Sequence, residues 1–145
     1  MSYLSDSTRE ADRLRELTWG EQVPVDPVII AHRLGIKVVD ATLPKHIPVA
    51  LVKEIGQDPK ILLNARDNVN RKRFSCAYAL GRCVAADPEG PYIYVETRGI
   101  FTTRQKKPDR ARDFALALLT PGSRRREDKL MRAIRFDVPV ETLAA

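Results

Sequence analysis

One long amphipathic segment constrains this chain more than any other feature. Residues 64–70 offer a cluster of helix-capping side chains, and Phe74, Ala77, Leu80, Gly81 and Val84 then recur at intervals of three or four. That period predicts a helix with one buried face, running to Ala86 before Asp87-Pro88-Glu89-Gly90 breaks it. Short apolar runs come before it. Residues 36–39, 49–55 and 60–63 read as strands, separated by the proline-rich loop 44–48 and the turn Gly56-Gln57-Asp58-Pro59.

Helices flank this centre. Residues 5–17 read as a short amphipathic helix with Leu14 and Leu17 on one face, and Trp19-Gly20 ends it. Trp19 is either core or an anchor for a partner. Asp26 and Pro27 are an N-cap and a first helical residue, Val28, Ile29, Ala31 and Leu34 the apolar side, and Gly35 the stop. Tyr92-Ile93-Tyr94-Val95 is a further β-like run. A helix is expected from Pro108 through Phe114 to Leu119, and a charged one from Ser123 to Arg135. The order predicts an α+β fold in a single domain, residues 1–145, with helices on a small sheet of about three strands.

Charge narrows the function classes only slightly. The 145 residues hold 25 Lys plus Arg against 19 Asp plus Glu, a net +6. The basic runs Arg71-Lys72-Arg73, residues 104–107 and Arg124-Arg125-Arg126 permit a nucleic-acid contact, but each has acids nearby, and most such runs are solvated faces. No window approaches the about 18 apolar residues of a membrane helix, and no leader opens the chain. Cys76 and Cys83 are too far apart on a helix for a disulfide and read as free thiols, which suits a cytoplasmic protein.

Four segments, in this order, resemble the ImmA/IrrE family of zinc metallopeptidases. They are Val25-Asp26-Pro27-Val28 with Ala31 to Val38, Ile61-Leu62-Leu63-Asn64, the run Arg71-Lys72-Arg73-Phe74-Ser75-Cys76-Ala77-Tyr78-Ala79-Leu80-Gly81-Arg82, and Ala111-Arg112-Asp113-Phe114 to Pro121. In the family the third reads R-x-R-F-T-x-A-H-E-L-G-H and the fourth A-N-x-F-A-x-x-L-L-M-P. A tail like the family's follows at 133–139. The resemblance implies a zincin-like fold around the long helix, and a family that cleaves helix-turn-helix repressors.

The zinc motif itself is lost. In H-E-x-x-H two imidazoles one helical turn apart hold the metal and the glutamate acts as general base. Here Tyr78, Ala79 and Arg82 stand at those places. Neutral tyrosine is a poor ligand, alanine accepts no proton, and the permanently charged guanidinium repels a cation. Where the family supplies a third, acidic ligand, Pro108 and Arg110 occupy the expected places and Asp109 is one residue out of register. His32, His46, Cys76 and Cys83 have no ligand spacing. No metal or other cofactor is therefore expected.

The resulting expectation is a catalytically inactive relative that binds a protein, a helix-turn-helix repressor or antitoxin, in phage, prophage or toxin–antitoxin regulation. Its candidate site is the former cleft: Tyr78, Ala79, Arg82, Asp109 and Arg110, with Tyr78 and Arg82 spaced to stack. Either the pair fills the place of the metal, or the cleft has become a cationic, aromatic-lined groove. The alternatives are nucleic-acid binding through a basic patch of Arg71, Lys72, Arg73, Arg124, Arg125 and Arg126, or repurposed chemistry around Tyr78, Arg82 and Cys83.

Overall fold

Asn68 starts the central helix: its side chain accepts from the Arg71 N–H at 2.9 Å, and the helix, α3 (Val69–Ala85), ends at Ala86. The computed structural model describes residues 3–102, 108–122 and 127–143, with side chains from Asp6 onward. Ahead of α3 come α1 (Tyr3–Thr18), α2 (Pro27–Arg33), β1 (Lys37–Ala41), β2 (Val49–Lys53) and β3 (Lys60–Asn64). After it come β4 (Tyr92–Val95), a 3-10 turn (Arg98–Phe101), α4 (Arg110–Leu119), α5 (Lys129–Phe136) and a second 3-10 turn (Val140–Thr142). The class is α+β: among the described residues, five helices on a four-stranded mixed sheet.

The sheet runs β1-β3-β2-β4, with β1 and β3 parallel and the other neighbours antiparallel. Its size corrects the expectation of about three strands. Tyr92-Ile93-Tyr94-Val95 forms the fourth, its Tyr94 opposite Leu51 and its Ile93 opposite Val52. α3 lies on β2 and β3, α4 lies on α3, and α1 packs on α4. The buried centre holds Phe74, Leu80, Leu51, Ile61, Phe114 and Leu118. Each such side chain contributes about 1.5–3 kcal/mol when withdrawn from water.

Several helix ends lie where local chemistry puts them. Asp26 caps α2 by accepting from the Val28 N–H at 3.0 Å, and Gly35 follows in a left-handed conformation, φ +79°. Three apolar faces need correction. Leu17 is 75% exposed, and α1 instead buries Ala11 and the Arg15 side chain, which donates to Ala117 O at 2.8 Å. In α2 the core residues are Ile30 and Ala31, while Ile29 and Leu34 point outward. Val84, on the last turn of α3, is exposed.

The helix expected from Pro108 starts two residues later, at Arg110, because Asp109 serves as its N-cap. Of the helix expected from Ser123, residues 123–126 lie outside the described residues, and the helical part starts at Lys129, capped by Asp128. No helix among the described residues is long and apolar enough to cross a membrane.

Candidate functional site

Two helices and a strand end converge on one cleft. Gly81 lets the start of α4 approach α3 closely: a Cβ there would lie 3.0 Å from Ala111 Cα and 3.1 Å from Ala111 O. That approach brings Asp109 beside the α3 face carrying Tyr78 and Arg82. The Tyr78 hydroxyl donates to Asp109 Oδ2 at 2.7 Å, while Asp109 Oδ1 accepts from the Arg112 N–H at 3.2 Å. One carboxylate thus caps a helix and ties it to its neighbour.

Arg82 is held from the other side. Its Nε donates to Glu96 Oε2 at 3.0 Å and its Nη2 to Glu96 Oε1 at 3.3 Å, a two-point pair. The guanidinium lies over both the Tyr78 ring, at 5.7 Å, and the Tyr94 ring, at 5.2 Å. Glu96 is fixed by its backbone N–H, which donates to Val49 O at 3.1 Å. Period-two alternation puts Tyr92, Tyr94 and Glu96 on the strand face toward α3. The cleft between these parts has a volume of about 510 Å³.

The electrostatics follow from the pairing. Burial first, then the hydrogen bond to Asp109, push the Tyr78 hydroxyl well above its usual range. Burial alone would lower Arg82, but the hydrogen bonds and charge of Glu96 outweigh it and the net direction is up. Burial lowers Arg112, and burial together with the Asp109 charge raises Asp113. Tyr78 therefore keeps its proton and Arg82 its charge, in fixed partnership with one carboxylate each.

The sequence-predicted site is partly assembled. Tyr78, Arg82, Asp109 and Arg110 line the cleft. Ala79 does not: it is buried in the core, rotated off the cleft face. Glu96 and Tyr94 were not among the expected site residues, and they change the site's meaning, because Arg82 faces a carboxylate and the cleft is not simply cationic. The signal available for them was the alternation of Tyr92, Tyr94 and Glu96 after a helix with a cation on its exposed turn.

A zinc ion does not fit these residues. The groups at the cleft are a protonated hydroxyl, a guanidinium and carboxylates already engaged, and among the described residues no three His, Cys, Asp or Glu side chains converge. His32 and His46 are exposed on separate elements. Cys76 and Cys83 are both free thiols. Cys76 is buried, which drives its thiol far up, and Cys83 Sγ lies 3.5 Å from the Tyr92 hydroxyl. Trp19 is partly buried against the core, its Nε1 donating to Gln22 O at 2.8 Å.

The basic run at the start of α3 diverges rather than forming one patch. Arg71 pairs with Glu141 at 3.3 Å, Lys72 with Asp40 at 3.0 Å, and Arg73 with Asp137. Each cation ties α3 to a different part of the fold. Arg124, Arg125, Arg126 and the block 104–107 lie outside the described residues.

No known family's sequence model matches this chain, and no curated protein matches it. The cleft's own residues carry the functional argument.

Proposed function

We propose that this chain is a catalytically inactive relative of the ImmA/IrrE zinc metallopeptidases and works by binding a protein, a helix-turn-helix repressor or antitoxin, in the cytoplasm. One observation carries the reading. Where the resemblance places two histidines, Tyr78 and Arg82 are each locked to a carboxylate, Asp109 and Glu96, at the wall of an open cleft. Such a cleft has donors, acceptors and aromatic edges for recognition, and tyrosine and arginine are residue types that dominate interface energetics. Among the described residues it has no free base and no metal-binding set.

A phage, prophage or toxin–antitoxin setting rests on the resemblance alone. The nucleic-acid alternative draws less support, since Arg71, Lys72 and Arg73 each spend their charge within the fold. The deciding experiment titrates the full chain with helix-turn-helix repressors and antitoxins from its own host, measuring binding, zinc content and regulator integrity together. Binding without zinc or cleavage, weakened by Arg82→Ala, is the expected result. Stoichiometric zinc with a cleaved regulator would overturn the proposal.

A further inference from the structure

The sheet has two faces, and the helices among the described residues take one. α3 covers β2 and β3 and α2 lies on β1, meeting the side that carries Leu51 and Ile61, both buried. Alternation sends their neighbours to the other side. Two rows cross that side: Lys37, Lys60, Val52 and Ile93, then Val39, Leu62, Ala50 and Val95. A sheet face left to water normally carries polar residues. Here all but the two lysines are apolar. Ile93 and Val95 are 69% and 52% exposed, Val39, Val52 and Leu62 are half-buried, and only the small Ala50 is buried.

The lysines supply the second observation. Lys37 and Lys60 are direct neighbours across the β1–β3 pair, both exposed. Like charges in that position repel, and neither has an acidic partner among the described residues. An apolar patch ending in an uncompensated pair of ammonium groups is complementary to one kind of surface. We infer that this outer sheet face docks a protein partner whose apolar surface carries carboxylates placed to bridge Lys37 and Lys60.

A second copy fits poorly, because neither row contains an acid to meet the partner's lysines. A lipid surface fits poorly too, since about four to eight clustered basic residues mark such a site and this face has two. The patch shares Val95 with the cleft but none of the cleft's charged groups, so the inference stands apart from the proposed function.

The test uses the full chain in its native host, with photoreactive benzoylphenylalanine replacing Ile93, or Leu17 as an exposed control on α1. The expected result is a heterologous cross-link from position 93 and not from 17, mapped to an acidic segment. The purified partner should then bind Lys60→Glu about tenfold or more weakly, although that variant melts no lower than the parent because a repulsive pair becomes attractive. A cross-link at twice the chain mass, co-sedimentation with phosphatidylserine vesicles in place of a protein cross-link, an unchanged affinity of Lys60→Glu, or no cross-link at all overturns the inference.

Discussion

Tyr78 on α3 and Asp109 at the cap of α4, 31 residues apart in sequence, are joined by a 2.7 Å hydrogen bond. Asp109 serves both the hydroxyl and the first turn of α4, so its two partners can be removed separately. Tyr78→Phe loses one hydrogen bond and is expected to cost about 1 kcal/mol, or about 3 °C in melting temperature for a chain this size. Asp109→Ala loses the cap as well and should cost about 2 kcal/mol. Thermal melts giving the opposite order would refute this division of labour.

The same bond predicts a pH dependence. Burial and Asp109 raise Tyr78, and burial with Cys83 raises Tyr92, so the native state holds these protons more tightly than the unfolded chain. Their contribution is complete below about pH 10, where an unfolded tyrosine begins to ionise, and is lost as pH rises beyond it. The stability gap between the natural chain and Tyr78→Phe should therefore narrow above about pH 10. Denaturant titrations at a series of alkaline pH values, read beside tyrosinate absorbance, measure it.

Gly81→Ala sets propensity against packing. A helix interior gains about 1 kcal/mol when glycine becomes alanine, yet the added carbon meets Ala111 Cα at 3.0 Å and Phe114 Cδ1 at 3.1 Å. Because α4 is itself held between α3 and α1, it has little room to retreat. The expected net change is a loss of about 1–2 kcal/mol. A higher melting temperature would show that α4 yields.

Arg82 and Glu96 should respond unequally to removal. Glu96 is the more enclosed of the two, 11% exposed at its side chain against 39% for Arg82. Arg82→Ala strands that carboxylate and is expected to cost about 1–2 kcal/mol, whereas Glu96→Gln leaves a guanidinium that water can reach and should cost under about 1 kcal/mol. Urea denaturation of both variants and their combination measures the asymmetry. Equal losses would mean the carboxylate is better hydrated than its enclosure suggests.

The cleft can also be asked to regain a metal. Tyr78→His with Arg82→His puts two imidazoles one helical turn apart. Asp109, which already reaches the residue-78 side chain, becomes a third ligand. This double variant should bind about one equivalent of cobalt with a tetrahedral visible spectrum, and Asp109→Ala should abolish it. A folded double variant with no such spectrum would argue against a zincin-like frame.

What the sequence disclosed was what neighbours decide. Asp26 before Pro27, Gly35 after α2 and the apolar period through Phe74 and Leu80 act within a few residues of themselves, and each lies where the pattern placed it. Tyr78 stacking with Arg82 was equally local. Glu96 was only half so: alternation with Tyr92 and Tyr94 sets its face, but its meeting with Arg82 depends on β4 pairing with β2, which is settled by residues far away in sequence. Arg15 shows the same limit. It looks like a solvated helical cation, yet it is buried because carbonyls of α4 approach from across the fold.

The place of β4 has a consequence for how the chain comes into being. β2 gains its outer neighbour only when Ala50 meets Val95, after all of α3 has been made. Until then β2 leaves the ribosome with an apolar, unpaired border, the kind of edge that recruits other chains. A fragment ending before Tyr92 would keep that border permanently and would also lack the carboxylate that neutralises Arg82. The stretches before and after α3 therefore depend on each other, and no piece that stops before Tyr92 has both the four-stranded sheet and the finished cleft.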